Sequence, residues 1–232
     1  MKNEQLAEKQ DLTPTPYLQV NSIFQTIQGE GPFTGHAAIF IRLAGCNLQC
    51  PQCDTEYTKR NLLHYAYIAD SAFELATDEH KINLIVITGG EPLRQDIGRL
   101  VNKLLSKGFN VQIETNGTLF IPSIMYTHPR LTIVCSPKTG LVNTYLEPYV
   151  KAFKYVLSAS DYDIYDGLPN HALEHPCKKL YRPKNKKVPV YLQPVDSKNT
   201  DVYKTDLAAC VANCQKFGYI LGIQMHKVID VL

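Results

Sequence analysis

The clearest pattern in this chain is a set of short apolar runs, each closed by a polar stretch carrying glycine, proline or asparagine. Leu84-Ile85-Val86-Ile87-Thr88 is a continuous run of buried-strand length ending in Gly89-Gly90-Glu91-Pro92. From Ile97, apolar residues recur at Leu100, Val101, Leu104 and Leu105, the spacing of an amphipathic helix. Lys107 and Gly108 supply a last-turn cation and a stop, so the two runs predict a βα unit. Tyr17 to Phe24 reads as a partly alternating strand. In Ile39-Phe40-Ile41-Arg42-Leu43 the alternation puts Phe40 and Arg42 on one face and Ile39, Ile41 and Leu43 on the other. Weaker runs follow at Asn110–Glu114, Leu131–Cys135, Ala152–Leu157 and Val188–Gln193. A short helix is predicted over Ser71–Thr77 with Asp70 as its N-cap, and a last helix over roughly Asn199–Phe217.

Six principal strands, separated by intervals long enough for crossovers, predict a mostly parallel sheet of the α/β class. A complete eight-stranded α/β barrel takes about 250 residues. Six strands in 232 residues therefore predict an incomplete TIM-like barrel, open on one side. Its mouth would carry the loops that follow the strands, and Gln112 and Glu114, alternating with Val111 and Ile113, would place polar groups inside it.

Composition narrows the class. Apolar residues make up 44% and the net charge is +2, too small to argue for a nucleic-acid surface. No run approaches the ~18 apolar residues of a membrane span. Met1 to Pro16 is polar and proline-ended, without the apolar core of a signal peptide, and is expected to be a flexible tail preceding a single domain over 17–232. The expected compartment is the cytoplasm, where clustered cysteines point to metal rather than disulfides.

Three of the seven cysteines, Cys46, Cys50 and Cys53, are spaced C-x3-C-x2-C directly after a predicted strand. Thiolates on such a loop can hold three irons of a four-iron cluster. No fourth cysteine stands at cluster spacing, which leaves one iron open to a small molecule. The turn Gln25-Thr26-Ile27-Gln28-Gly29-Glu30-Gly31-Pro32 has glycines on both sides of a carboxylate, so it is either an ordinary tight turn or one that lies against a ligand. Arg42, on a strand with two apolar faces, needs an anion, supplied by an internal carboxylate or by a ligand. Cys210 and Cys214 read as small buried residues, Cys135 as core and Cys177 as a loop thiol. Residues 177–187 hold six cations, a solvated loop or a docking surface for an acidic electron donor such as a flavodoxin.

The cysteine triad with Gly89-Gly90-Glu91-Pro92 resembles the radical S-adenosylmethionine superfamily. Phe24-Gln25-Thr26-Ile27-Gln28-Gly29-Glu30-Gly31, Ile39–Leu43, Cys53-Asp54-Thr55, Val86–Pro92, Ile113-Glu114-Thr115, Ser136-Pro137-Lys138 and Gln224-Met225-His226-Lys227 together resemble the 7-carboxy-7-deazaguanine synthase family. That resemblance implies conversion of 6-carboxy-5,6,7,8-tetrahydropterin to 7-carboxy-7-deazaguanine with loss of ammonia, on the route to queuosine and related deazapurines. It also implies a homodimer, a [4Fe-4S] cluster on Cys46, Cys50 and Cys53, S-adenosylmethionine and Mg2+. Gln52, Cys53, Asp54, Gly90, Ser136, Pro137, Lys138 and Gln193 are then expected at S-adenosylmethionine, and Thr55 at magnesium. Ile27, Gln28, Gly29, Arg42, Thr88 and the carboxylate of Leu232 are expected at the pterin, with Glu30 as a substrate hydrogen-bond acceptor. Two other readings share the triad: a glycyl-radical-enzyme activase, and a zinc or iron–sulfur binding module without catalysis. The Gln-Gly-Glu-Gly turn, Cys-Asp-Thr and the C-terminal Gln-x-His-Lys weigh against the first, and the missing fourth ligand against the second.

Overall fold

A computed structural model describes residues 3–53, 55–77 and 81–231. Its first half holds β1 (Tyr17–Ile27), β2 (Ala37–Leu43), β3 (Asn61–His64), α1 (Tyr65–Thr77), β4 (Leu84–Gly89), α2 (Gly98–Ser106) and β5 (Asn110–Thr115). The second half adds β6 (Leu131–Cys135), β7 (Val150–Leu157), β8 (Val190–Pro194), α3 (Thr200–Phe217), β9 (Ile220–Leu221) and α4 (Met225–Val228). All the strands join one sheet in the order β3-β1-β2-β4-β5-β6-β7-β8-β9. The pairs from β2 to β9 are parallel, whereas β1 is antiparallel to both β2 and β3. The six principal strands of the sequence are the parallel run β2, β4, β5, β6, β7 and β8. With helices on one side and an open polar face on the other, this is an α/β partial barrel.

Strand parity explains the two faces. Ile39 pairs with Ile85 and Ile41 with Ile87; the same row continues through Val111, Ile113, Leu131 and Ile133. These side chains are at most 2% exposed and form one core with Ile68, Ala72, Leu100 and Leu104 from the helices. Burying each stabilises by about 1.5–3 kcal/mol. The opposite row starts at Phe24 and Phe40, passes Arg42 opposite Thr88, and reaches Gln112, Glu114 and Lys154. One face of the central strands thus builds the core and the other builds the mouth.

Several expectations needed correction. Helix α1 begins at Tyr65, so Asp70 lies inside it rather than capping it, 3.3 Å from the Lys107 ammonium of α2. The first turn is instead held by His64, whose Nδ1 accepts the Ala66 N–H at 3.2 Å. Among the described residues, the connections 116–130, 136–149 and 158–189 contain no α-helix. Prolines at 122, 129, 137, 148, 169, 176, 183 and 189 interrupt every candidate stretch. A stack of Phe120, Tyr126 and Tyr149, with ring centroids 5.0 Å apart at each step, covers that side instead. Strands β3 and β9 are too short and too polar in context to show in the hydrophobic pattern. Helix α3 matches its expected span, capped by the Asn199 side chain at Asp201 and Val202 N–H and closed by left-handed Gly218.

The stretch expected to be a flexible tail is laid along the cysteine loop. Asn3 N–H donates to Pro51 O at 2.8 Å, Glu8 N–H to Cys46 O at 2.7 Å, and Asp11 N–H to Arg94 O at 2.8 Å. Gln5 bridges Thr55 O and Tyr57 N–H, and Gln10 reaches Leu93 O and Phe120 O. Docking by polar side chains onto backbone groups leaves no apolar periodicity to read. Arg94, 4% exposed, meets Glu8 at 3.3 Å and donates to Gln19 Oε1 and Ala44 O. Glu8→Gln keeps the shape but removes the counter-charge, and should cost roughly 1–2 kcal/mol in urea unfolding. A double-mutant cycle with Arg94→Met that shows no coupling between residues 8 and 94 would refute this account.

Candidate active site

Two backbone approaches position the cysteine loop. Strand β4 ends at Gly89, φ 137°, where a Cβ would fall 2.1 Å from Leu43 O; a Cβ on Gly90 would fall 2.2 Å from Gly45 O and 2.9 Å from Cys46 Cβ. Only glycine lets the end of β4 touch the start of the cysteine loop. Gly90 N–H then donates to Leu43 O at 3.3 Å and Glu91 N–H to Gly45 O at 3.0 Å. Glu91, fully buried, accepts from Leu93 N–H (3.0 Å), Thr115 Oγ1 (2.7 Å) and Asn116 N–H (2.7 Å), tying this loop to the one after β5. Asn116 donates to Asn47, which donates to Thr118, both at 2.9 Å. The strand-end loops are stitched into one rim.

Inside the rim lies one cavity of about 1280 Å³. Cys46, Cys50, Cys53, Gln52, Thr55, Gly90, Ser136, Lys138, Gln193, Ile27, Gln28, Gly29, Glu30, Arg42 and Thr88 all line it. Of the expected site residues, Pro137 is buried behind that lining, and Asp54 and Leu232 lie outside the described residues.

The thiols fit a cluster. Cys46 and Cys50 are nearly buried, and burial pushes their thiols up to about 12 and about 11 respectively, the second despite the Lys138 ammonium nearby. The charges of Cys50 and Cys53 are felt at Cys46, so the three sit close together, and Cys46 and Cys50 would stay protonated without a metal to hold them as thiolates. Leu48 N–H already donates to Cys46 Sγ at 3.4 Å. Among the described residues, no three His, Cys, Asp or Glu side chains converge on a point suited to a single ion. That spacing disfavours a closed zinc site, whereas cluster ligands bind separate irons.

The other side of the cavity is a charged network. The Lys154 ammonium lies between Glu30 Oε2 and Glu114 Oε2, the latter at 3.3 Å. Glu30 also accepts from Gln193 (3.0 Å) and Gln224 (2.7 Å), and Glu114 from Gln28 (2.8 Å) and Gln112 (2.9 Å). Burial alone would raise Glu30, but Lys154 and the two glutamines hold it below the ordinary carboxylate range. Burial alone would lower Lys154, but Glu114 and Glu30 hold its pKa above the ordinary lysine value. Arg42 takes no carboxylate among the described residues. Its guanidinium lies 5.4 Å from the Phe24 ring centroid, and its Nε is buried without a partner. Among the described residues, the internal-carboxylate alternative for Arg42 is not realised.

Lys154 and Gln224 were missed as site residues by reading the sequence. The available signal was a lone lysine inside the apolar strand Ala152-Phe153-Lys154-Tyr155-Val156-Leu157. Gly29 finds its reason in the tertiary structure: a Cβ there would meet His226 Nδ1 at 2.0 Å, and Met225 N–H donates to Gly29 O at 3.1 Å. The C-terminal Gln-x-His-Lys motif closes over the Gln-Gly-Glu-Gly turn.

A parallel half-barrel with three clustered cysteines on the loop after β2 is the architecture of a radical S-adenosylmethionine enzyme, and residues 40–126 match the Radical SAM superfamily. Over 225 residues the chain is 42% identical to the 7-carboxy-7-deazaguanine synthase of Rhodospirillum rubrum, covering 92% of each. The synthase of Rickettsia prowazekii is 37% identical over 92% of this chain and 88% of its own, and that of Escherichia coli 30% over 91% and 98%. The fold is similar to the crystal structure of QueE from Escherichia coli, with TM-score 0.66 and 24% identity over 90% of this chain and 95% of that one. The chain belongs to the 7-carboxy-7-deazaguanine synthase family. The superfamily implies a four-iron cluster and S-adenosylmethionine, and no helix of the structure is long and apolar enough to cross a membrane.

Burial pushes Glu91 up to about 7, against the pull of its donors at Asn116, Thr115 and Leu93 and of Lys138. Its folded pKa then exceeds the unfolded value of 4.5, so between these two values the folded state holds a proton that the unfolded state has lost. Stability should fall as pH rises from about 4.5 to 7, by at most ~3 kcal/mol from this group, and level off above. Denaturant midpoints across that range test it: Glu91→Gln should remove the slope, and an unchanged slope would refute the assignment.

Proposed function

We propose that this chain converts 6-carboxy-5,6,7,8-tetrahydropterin to 7-carboxy-7-deazaguanine with loss of ammonia, in the cytoplasm. The observation that carries the reading is Arg42: a buried guanidinium nitrogen without a partner, in the same cavity as the three cysteines and beside a polar network. The substrate carboxylate is the anion this arginine lacks, taken by a bidentate fork. Glu30, Glu114, Gln28 and the backbone of Ile27-Gln28-Gly29 offer acceptors and donors to the amide edge of the pterin, and Thr88 stands beside Arg42 on the next strand. A buried floor of this kind suits a small polar heterocycle rather than the peptide backbone an activase must admit.

Cys46, Cys50 and Cys53 hold the cluster in this reading. Gln52, Asp54, Gly90, Ser136, Pro137, Lys138 and Gln193 form the S-adenosylmethionine site. Lys138, whose Nζ donates to Ser136 O at 3.0 Å and Oγ at 2.6 Å, supplies the cationic end. When bound, the two cofactors supply the radical that starts the reaction. The chain's own part is to bind, orient and exclude water: Arg42 fixes the carboxylate, and Lys154 keeps Glu30 ionised as an acceptor and holds Glu114 in place by an ion pair. Thr55 is the protein ligand of magnesium, which keeps waters and substrate oxygens in its remaining positions. The apolar edge at Ile220, Leu221 and Ile223 supports a homodimer through β9. An acidic donor of the flavodoxin type would meet Lys178, Lys186 and Lys187, because Lys179, Arg182 and Lys184 are paired with Asp163, Asp166 and Glu147.

The test is anaerobic reconstitution with iron and sulfide, then S-adenosylmethionine, reductant, magnesium and the pterin, with products read by mass spectrometry. Formation of 5′-deoxyadenosine and the deazaguanine carboxylate is expected; an intact cluster yielding neither would sink the reading. Arg42→Lys should raise the KM for the pterin by at least tenfold, about 1.4 kcal/mol or more, because an ammonium cannot reproduce the fork. Binding of S-adenosylmethionine should be unchanged. Thr55→Ala should raise the magnesium concentration needed for half-maximal rate while leaving the iron content intact.

A further inference from the structure

The connection between β7 and β8 holds a feature that none of these roles uses. Leu173 and Glu174 have φ of 52° and 55°, consecutive left-handed residues without a glycine. Such a conformation costs roughly 1–3 kcal/mol per residue and persists only where surrounding contacts enforce it. Here the contacts are with the cysteine loop: Gln52 N–H donates to Leu173 O at 3.2 Å and Gln52 Nε2 to Glu174 Oε1 at 2.6 Å. The next residue is His175, whose N–H donates to Ala172 O at 2.9 Å. Its ring Nδ1 is buried with no partner, although the ring belongs to the wall of the cavity that Cys50 and Lys138 also line. A buried polar nitrogen left unpaired costs about 1–3 kcal/mol, so in a strained, anchored loop it marks the place of an absent partner.

We propose that residues 171–177 form a wall of the S-adenosylmethionine site, with His175 making a hydrogen bond through Nδ1 to the adenosyl group. The inference rests on the assignment of Gln52, Ser136 and Lys138 to that cofactor. Burial and the Lys138 ammonium both disfavour a charge on the imidazole. A neutral ring is a weaker partner for the cofactor's carboxylate than the Lys138 ammonium, which assigns the carboxylate to Lys138 and a hydroxyl or ring nitrogen to His175. The anchor on Gln52, one residue before Cys53, places the wall against the loop that carries the cluster, and Cys177 is close enough to Cys50 for its charge to be felt there. In this assignment His175 acts on the cofactor, while Arg42 and the Lys154 network, which line the same cavity, take the pterin.

The measurement is equilibrium binding of S-adenosylmethionine to the reconstituted enzyme, for wild type, His175→Ala and His175→Asn. Iron and sulfide content and the KM for the pterin are determined alongside. Asparagine places an amide nitrogen or oxygen near the position of Nδ1. We expect Ala to raise the Kd on the order of tenfold and Asn to restore it to within about threefold, with cluster content and pterin KM unchanged. A Kd for Ala within twofold of wild type overturns the proposal. So does an Asn variant as weak as Ala, or an Ala variant that loses iron, since either makes the residue a structural support only. Wild type that holds its cluster but binds no S-adenosylmethionine overturns the site assignment itself, and this inference with it.

Discussion

Everything at the mouth depends on one close approach of backbone to backbone. Because β2 and β4 are parallel neighbours, the loop after each emerges at the same rim, and Gly89 and Gly90 let those loops touch without a Cβ between them. The hydrogen bonds from Gly90 and Glu91 to Leu43 and Gly45 then set the height of the cysteine loop. From that contact the constraint spreads outward. Glu91 carries it to Thr115 and Asn116, Asn47 to Thr118, and the N-terminal stretch presses on the outside through Cys46 O and Pro51 O. A cluster ligand set has to be held at distances the metal dictates, and short hydrogen bonds from three sides do this better than loop length alone.

The cavity divides its charge between two ends. Around the cysteines, burial keeps the thiols protonated until metal arrives, and Lys138 is the neighbouring cation. At the other end, around Arg42, one lysine serves two carboxylates, so that group carries a net negative charge that Arg42 offsets. An ion group buried this deeply adds little to stability once desolvation is counted. Its use is to hold acceptors aimed into the cavity, which is what recognition of a polar heterocycle requires.

The part of the chain with least regular structure has most of the closing work. Residues 158–189, without an α-helix, supply the Leu173–Cys177 wall, and the stretch before Tyr17 braces the cysteine loop from below. Both succeed through backbone groups and polar side chains, so neither leaves a periodic trace. The C-terminal Gln224 and His226 behave alike: they finish the Gln-Gly-Glu-Gly turn from almost two hundred residues away along the chain.

The sequence by itself determined the parallel strands, the helices α2 and α3, the rim of strand-end loops and the chemistry of the cysteine triad. Each rests on local periodicity or short spacing, which a linear reading detects. It also marked Arg42 as a charge in need of an anion, from the alternation of a single strand. Only the tertiary structure decided that no carboxylate among the described residues answers it, that Lys154 is shared by Glu30 and Glu114, and that Gly29 makes room for His226. Those outcomes depend on which residues meet across the barrel, and side chains more than a hundred positions apart share no pattern along the chain. The docking of Asn3 to Asp11 escaped for the same reason, since its partners are backbone atoms whose positions exist only once the sheet has formed.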